Sequence, residues 1–261
     1  MPVLPASVRL ALWTTLSWQG GLAPAKVLAR ALPDVDHVAG DLGRLELWHE
    51  LGEQALFVAL PRPGDTTRLP RTSPEALAHA VDTGECVFVA SLGGLLVPTV
   101  TEYGRAGDTG LRADWTAYDA EPTPRHQLEM LDLGHIERAL VTSITRHAAD
   151  FETTGGAPWD EHHREAAEGA VRHAVWGLPE QIPARAVRVI TTAARVGALV
   201  DAAAVEGVAG AVGVVAARGP VAAVDAHRRE QLLRSLAAEA DVALGDATNV
   251  AVMAMAGWRP A

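Results

Sequence analysis

Residues 111–118 read Leu-Arg-Ala-Asp-Trp-Thr-Ala-Tyr. Leu111, Ala113, Trp115 and Ala117 alternate with Arg112, Asp114, Thr116 and Tyr118. A period of two, apolar on one side and polar on the other, predicts an antiparallel strand with one wet face. From Arg125 the period changes. Ile136, Leu140, Ile144 and Ala148 recur at helical spacing, so 125–153 is predicted as one long amphipathic helix. Pro122 and Pro124 stand between the two patterns. This switch decides the fold class, α+β. The N-terminal half is α/β, with a small mixed sheet ending in an antiparallel meander, and the C-terminal half is all helical. The organisation follows as an α/β mixed-sheet domain over 1–120 and a helical domain over 121–261, or one integrated domain in which the helices pack on the sheet.

Working back toward the N-terminus, Val8, Leu12, Trp13 and Leu16 predict a helix over 8–18, closed by Gly20-Gly21. A second helix begins near Pro24 and is stopped by Pro33. Val35–Ala39 is a short strand candidate. Asp41 reads as a helix N-cap ahead of Leu42, Leu45, Trp48 and Leu51, with Gly52 at the C′ position. Gln54–Leu60 is an apolar run that suggests a buried strand. Strand, helix and strand over 35–60 are compatible with a compact βαβ unit. Ser73 caps the next helix, with Pro74 at its first position. Cys86–Leu92 and Leu95–Tyr103 flank Gly93-Gly94, which predicts a tight hairpin turn. Pro98 argues that the second of these strands is bulged or at an edge.

Toward the C-terminus, Gly155-Gly156 breaks the long helix. Further helices are predicted over 158–176, 183–205 and 221–244, with a short one over 248–255. Asp160 and Glu161 in the first turn of 158–176, and Arg172 and His173 in its last, match the helix dipole.

The totals bound the function. The chain has 261 residues, of which 49% are apolar, enough to bury a core. Its net charge is −10. A broad negative field opposes non-specific nucleic-acid binding, and no zinc finger, basic helix or RNA-binding strand motif is present, so nucleic acid is not an expected partner. The many arginines, beside the single lysine Lys26, reflect GC-rich coding rather than a phosphate site. No uncharged apolar run approaches the ~18 residues of a membrane span, so no membrane partner is expected. The N-terminus lacks the features of a secretory signal. Cys86 is the only cysteine. No internal disulfide can form, which suits a cytoplasmic location. Its apolar surroundings mark it as a core thiol rather than a nucleophile.

Candidate sites are few. Asp132-x-x-His135 and Asp160-x-x-His163 each place a carboxylate and an imidazole one helical turn apart. Paired units of that kind, with further carboxylates such as Glu129, Glu161 or Glu165, build metal centres in helical bundles. The loop Pro61–Ser73 follows a buried strand, where ligands gather in α/β sheets. Arg62, Arg68 and Arg71 can hold an anion there, with Thr66 and Thr67 supplying hydroxyls. Gly207-x-x-Gly210-x-x-Gly213 has neither Rossmann nor P-loop spacing. Ser91 lacks the nucleophile elbow. Seven of the few aromatics are Trp, and Trp159 and Trp258 are candidates for exposed interface residues.

Leu10-Ala11-Leu12-Trp13, the run from Ala59 to Asp65, and Gly84-Glu85-Cys86-Val87 through Pro98 resemble segments of an uncharacterised protein family of high-GC actinobacteria. That resemblance implies a bacterial cytoplasmic protein and transfers no activity or site residue. With no complete catalytic constellation, the expectation is a non-catalytic interaction or regulatory protein that self-associates, with an unknown protein as a further partner. No cofactor is expected. One alternative is a metal-dependent enzyme using a divalent metal at Asp132, His135, Asp160 and His163. The other is a small-anion-binding domain using the 61–71 loop.

Overall fold

A computed structural model describes residues 4–105, 108–153, 177–214 and 220–258. The chain is α+β and forms two compact units. One comprises Leu4–Asp132, Gly177–Val187 and Gly245–Ala261 and carries the sheet. The other comprises Met1–Val3, Leu133–Trp176 and Arg188–Leu244 and is helical in its described parts. No helix among the described residues is long and apolar enough to cross a membrane.

The sheet unit begins with α1 (Ala6–Trp18). Val8, Leu10, Ala11 and Leu12 are wholly buried, and so are Ser7 and Thr15. Burial around most of its circumference makes α1 a core helix rather than an amphipathic surface one. It packs on strands β2 (Phe57–Ala59) and β3 (Cys86–Phe88), and Thr15 Oγ1 accepts the Leu56 N–H at 3.0 Å. Arg9, also buried, pairs with Asp34. A short 3-10 turn (Pro24–Lys26) leads into α2 (Val27–Ala31), then β1 (His37–Gly40), α3 (Gly43–Glu50), β2 (Phe57–Ala59), α4 (Pro74–Thr83), β3 (Cys86–Phe88), β4 (Leu95–Arg105) and β5 (Asp108–Tyr118).

The strand order is β1-β5-β4-β3-β2. Strands β2 to β5 form an antiparallel meander, and β1 adds in parallel to the outer side of β5. The expected βαβ unit is therefore not formed: β1 and β2 lie at opposite edges of the sheet. Asp41 does not cap α3 either. Its carboxylate accepts the Ala117 N–H at 2.9 Å, and Asp36 does the same for Leu111 N–H at 2.9 Å. Two side chains thus extend the pairing of β5 beyond both ends of the four-residue β1. Gly52 does close α3, with Glu53 N–H bonded to Trp48 O and Gly52 N–H to His49 O, the two bonds of a Schellman motif.

Phe88 pairs with Leu95, so Val89–Gly94 is a six-residue connection and not a two-residue turn. The Glu53 carboxylate explains it: Oε1 accepts the N–H groups of Ser91 (2.8 Å) and Leu92 (2.6 Å) and draws them away from the ladder. Gly93 takes φ +75 there, and a Cβ on it would run into the Ala120 carbonyl. Pro98 sits in an internal strand at a position where β3 has already ended, because β3 pairs only with Leu95 and Leu96. Its missing donor is harmless there. Ser73 caps α4 as expected, its Oγ accepting Ala76 N–H at 3.2 Å.

The long helix expected over 125–153 is two helices, α5 (Arg125–Glu129) and α6 (Leu133–Thr153). The step of five from Leu131 to Ile136 is out of helical phase, and the boundary between the units falls at Asp132 and Leu133. The buried positions of α6 include Ile136, Leu140, Ser143 and His147, while Ala148 is exposed. Beyond them, α7 (Ala184–Val214) contains Gly207, Gly210 and Gly213, and α8 (Pro220–Met255) absorbs the short helix expected over 248–255. In the helical unit Val196 and Val200 of α7 pack with Ala237 and Ala240 of α8, joined by Ile144, Leu233 and Leu236. The helix expected over 158–176 lies outside the described residues.

Candidate functional site

The loop after β2 is built by its own short-range bonds. Arg62 and Asp65 exchange backbone bonds of 2.9 Å across Pro63-Gly64, where Gly64 takes φ +87. Asp65 Oδ1 then accepts Thr67 N–H (3.1 Å) and Thr67 Oγ1–H (2.7 Å), which holds the Asp65 carboxyl below its ordinary value. The next residue, Arg68, forms a two-pronged pair with Asp246, Nε to Oδ1 at 2.7 Å and Nη2 to Oδ2 at 2.9 Å. Asp246 is buried, and the bond raises the arginine pKa further.

One turn along α8 from Asp246, Asn249 reaches the edge strand. Its Oδ1 accepts Val58 N–H at 2.8 Å and its Nδ2 donates to Val58 O at 2.9 Å. Opposite the loop, residues 119–123 run antiparallel to it. Thr72 bridges Ala120, Glu121 N–H bonds Arg71 O at 2.8 Å, and Thr123 N–H bonds Ala90 O at 2.9 Å. Between these walls lies a cleft of about 430 Å³ whose lining includes Phe88, Leu128, Leu131 and Asn249. That is within the size range of small-molecule sites. Its polar lining includes Thr67, Arg68, Arg71, Glu121, Thr123 and Gln127. Arg71 and Glu121 face each other with Nη1 and Oε2 3.9 Å apart, their side chains 88% and 68% exposed.

Of the five loop residues read from the sequence, Thr67, Arg68 and Arg71 line this cleft and Arg62 and Thr66 do not. Sequence reasoning missed Glu121, Asp246 and Asn249. Tertiary pairing brings them to the loop, and no local pattern marks them. Of the metal set, Asp132 is an exposed residue just before α6 and His135 is exposed in its first turn. Asp160 and His163 lie outside the described residues, as do Glu161, Glu165, Trp159 and Trp176. Glu129 is paired with Arg125 at 2.7 Å. Among the described residues no three His, Cys, Asp or Glu side chains gather so as to hold a metal ion.

Several reactive groups of the sheet unit have structural partners. Cys86 is buried, and burial pushes its thiol up to about 12. His79 lies between Tyr118 Oη and Thr99 Oγ1, 2.9 Å from each. Glu53 is buried against its two amides, and desolvation raises its pKa in spite of them. Trp258, read from the sequence as an exposed interface residue, is half-buried against Phe57 (5.2 Å between centroids), with Arg125 over its ring at 4.5 Å.

The helical unit carries one further cluster. Buried His147 places Nε2 3.2 Å from Glu239 Oε1, and Arg146 Nη2 lies 2.5 Å from the same oxygen. Burial raises the Glu239 pKa, but the hydrogen bond from His147 and the Arg146 charge outweigh it and leave the carboxyl below its ordinary value. His147 Nε2 bonds the carboxylate, while Ser143 Oγ is buried with no hydrogen-bond partner among the described residues. An imidazole that activated the serine would hydrogen-bond its hydroxyl, and among the described residues none does, so this is not a nucleophile arrangement.

The fold defines an α+β protein whose sheet unit carries this cleft. The chain belongs to the Rv1486c-like family: residues 7–128 match its N-terminal domain and residues 134–245 its C-terminal domain. No curated protein and no solved structure matches it.

Proposed function

We propose that this chain is a non-catalytic binding protein of the bacterial cytoplasm that holds a small molecule in the cleft between the 67–71 loop and residues 121–124. One observation carries the reading. The cleft joins an apolar floor to a rim with an exposed cation and an exposed carboxylate, the composition of a site that orients a small ligand. The non-catalytic part is supported by the engagement of Cys86, His79 and Glu53 in the structure around it. A reduced, buried single cysteine supports the cytoplasm. A fragment screen by methyl NMR tests the binding role. Compounds that shift the methyls of Leu128 and Leu131 saturably support it, and a broad library that leaves both unmoved removes it.

Self-association is a second part of the proposal. Val141 of α6 and Val224 of α8 are apolar and more than half exposed. Sedimentation velocity across the micromolar range decides it, and a monomer at every concentration ends it.

A further inference from the structure

We infer that the cleft selects small zwitterions, molecules carrying a carboxylate and an ammonium together, over simple anions. The inference rests on the reading of the cleft as a ligand site and names the ligand class. It follows from how the charges are paired. Arg68, one of the two arginines that line the cleft, already gives two N–H groups to the buried Asp246. An incoming anion meets a pair whose charge is balanced. The remaining cation, Arg71, is held directly across from Glu121 because the backbone bond from Glu121 N–H to Arg71 O sets their register. At 3.9 Å, with both side chains mostly exposed, that pair is at the limit of contact and worth little to the fold.

A lone carboxylate at Arg71 also faces Glu121, inside a chain of net charge −10, and that field disfavours it. A lone ammonium at Glu121 faces Arg71. A ligand with both charges meets each with its opposite, and its apolar part lies over Leu128 and Leu131 at the cleft floor. Each charged contact to one of these exposed rim groups is worth roughly two- to fivefold in affinity, as for other exposed ion pairs.

The test uses the full chain and three matched probe sets: free amino acids with apolar side chains, their N-acetyl derivatives, which keep only the carboxylate, and their carboxamides, which keep only the ammonium. Binding is read from the Leu128 and Leu131 methyl shifts. The expected result is saturable binding of free amino acids, with each single-charge set weaker by roughly two- to fivefold. Arg71→Gln then removes the advantage of the free form over the carboxamide, and Glu121→Gln removes its advantage over the N-acetyl form. Equal binding of N-acetyl and free forms overturns the zwitterion inference while leaving the cleft as a ligand site. Binding of library compounds with no preference for any probe set does the same. No methyl shift with any probe or library compound overturns both readings together.

Discussion

The carboxamide of Asn249 completes the hydrogen bonding of Val58, taking its N–H at 2.8 Å and giving a proton to its C=O at 2.9 Å. Val58 is in the edge strand β2, so a single side chain replaces the neighbouring strand at that residue. Both partners are buried. An edge strand left open is a template for unwanted pairing, and a covering side chain is one way to close it. Asn249→Ala leaves a donor and an acceptor buried and unpaired. The expected loss is roughly 2–4 kcal/mol in chemical denaturation. Asn249→Asp at neutral pH is expected to be at least as damaging, since a carboxylate has no proton for the Val58 carbonyl. An alanine variant as stable as the parent chain would show that water satisfies the strand.

Arg68 and Asp246 give a second test, which also separates structure from ligand binding. The Asp246 side chain is 7% exposed and the Arg68 side chain 47%. Arg68→Met strands a buried carboxylate and is expected to lower stability by about 2–3 kcal/mol, less than for a fully buried pair. The double change Arg68→Met with Asp246→Leu is expected to recover most of that loss, because the stranded charge is gone. Urea midpoints of the single and double variants decide it. A double variant no better than the single would mean that the arginine acts through something other than this pair.

Glu53 predicts a specific pH dependence. Burial raises its folded-state pKa above the ordinary 4.5. Between that ordinary value and the raised one, the folded chain binds the proton and the unfolded chain does not. Stability contributed at this site therefore falls as pH rises through the window. Glu53→Gln keeps an oxygen for Ser91 and Leu92 and removes the titration. Stability curves of parent and variant are expected to lie closest in acid, where Glu53 is protonated and resembles glutamine, and to separate toward neutral pH, the parent losing relative to the variant as pH rises. A constant offset at all pH values would place the carboxyl in an ordinary environment.

Much of the sheet unit was legible. Alternation from Leu111 to Tyr118 is seen in β5, where Ala113 and Trp115 are buried while Arg112 and Asp114 pair outside at 2.6 Å. Strand adjacency was not legible, because nothing in residues 35–60 says that β1 will join β5 instead of β2. The helical face was read slightly askew. Steps of four from Ile136 to Ala148 over-rotate by about 40° each, whereas the buried row goes through Ser143 and His147, polar residues that an apolar template skips. The loop of the cleft was marked by its Pro and Gly content. Its partners were not, since Asp246 is 178 residues from Arg68 and Asn249 is 191 from Val58.

Glu239 is expected to show the opposite sign to Glu53. Burial raises its pKa, but the hydrogen bond from His147 and the charge of Arg146 outweigh that and hold it below the ordinary 4.5. Its contribution is present above the ordinary value and is lost as pH falls through the lowered one. Glu239→Gln removes that loss, so the variant's acid limb is expected to be shallower than the parent's. Identical acid limbs would mean that His147 and Arg146 do not hold the carboxylate in solution.

Cys86 supplies the last and simplest check on the sheet. It lies in β3, wholly buried, with its thiol pushed up to about 12 by desolvation. Thiolate is the reactive form, so at neutral pH both protonation and access protect it. A soluble disulfide reagent is expected to titrate no thiol in the native chain and one after denaturation. The rate in between is expected to follow the opening of the sheet, rising as stability falls across the Asn249 and Arg68 variants, because β3 pairs with β2 and Asn249 holds β2. Rapid labelling of the native chain, insensitive to those variants, would mean that β3 is open to solvent and that the meander is not assembled as described.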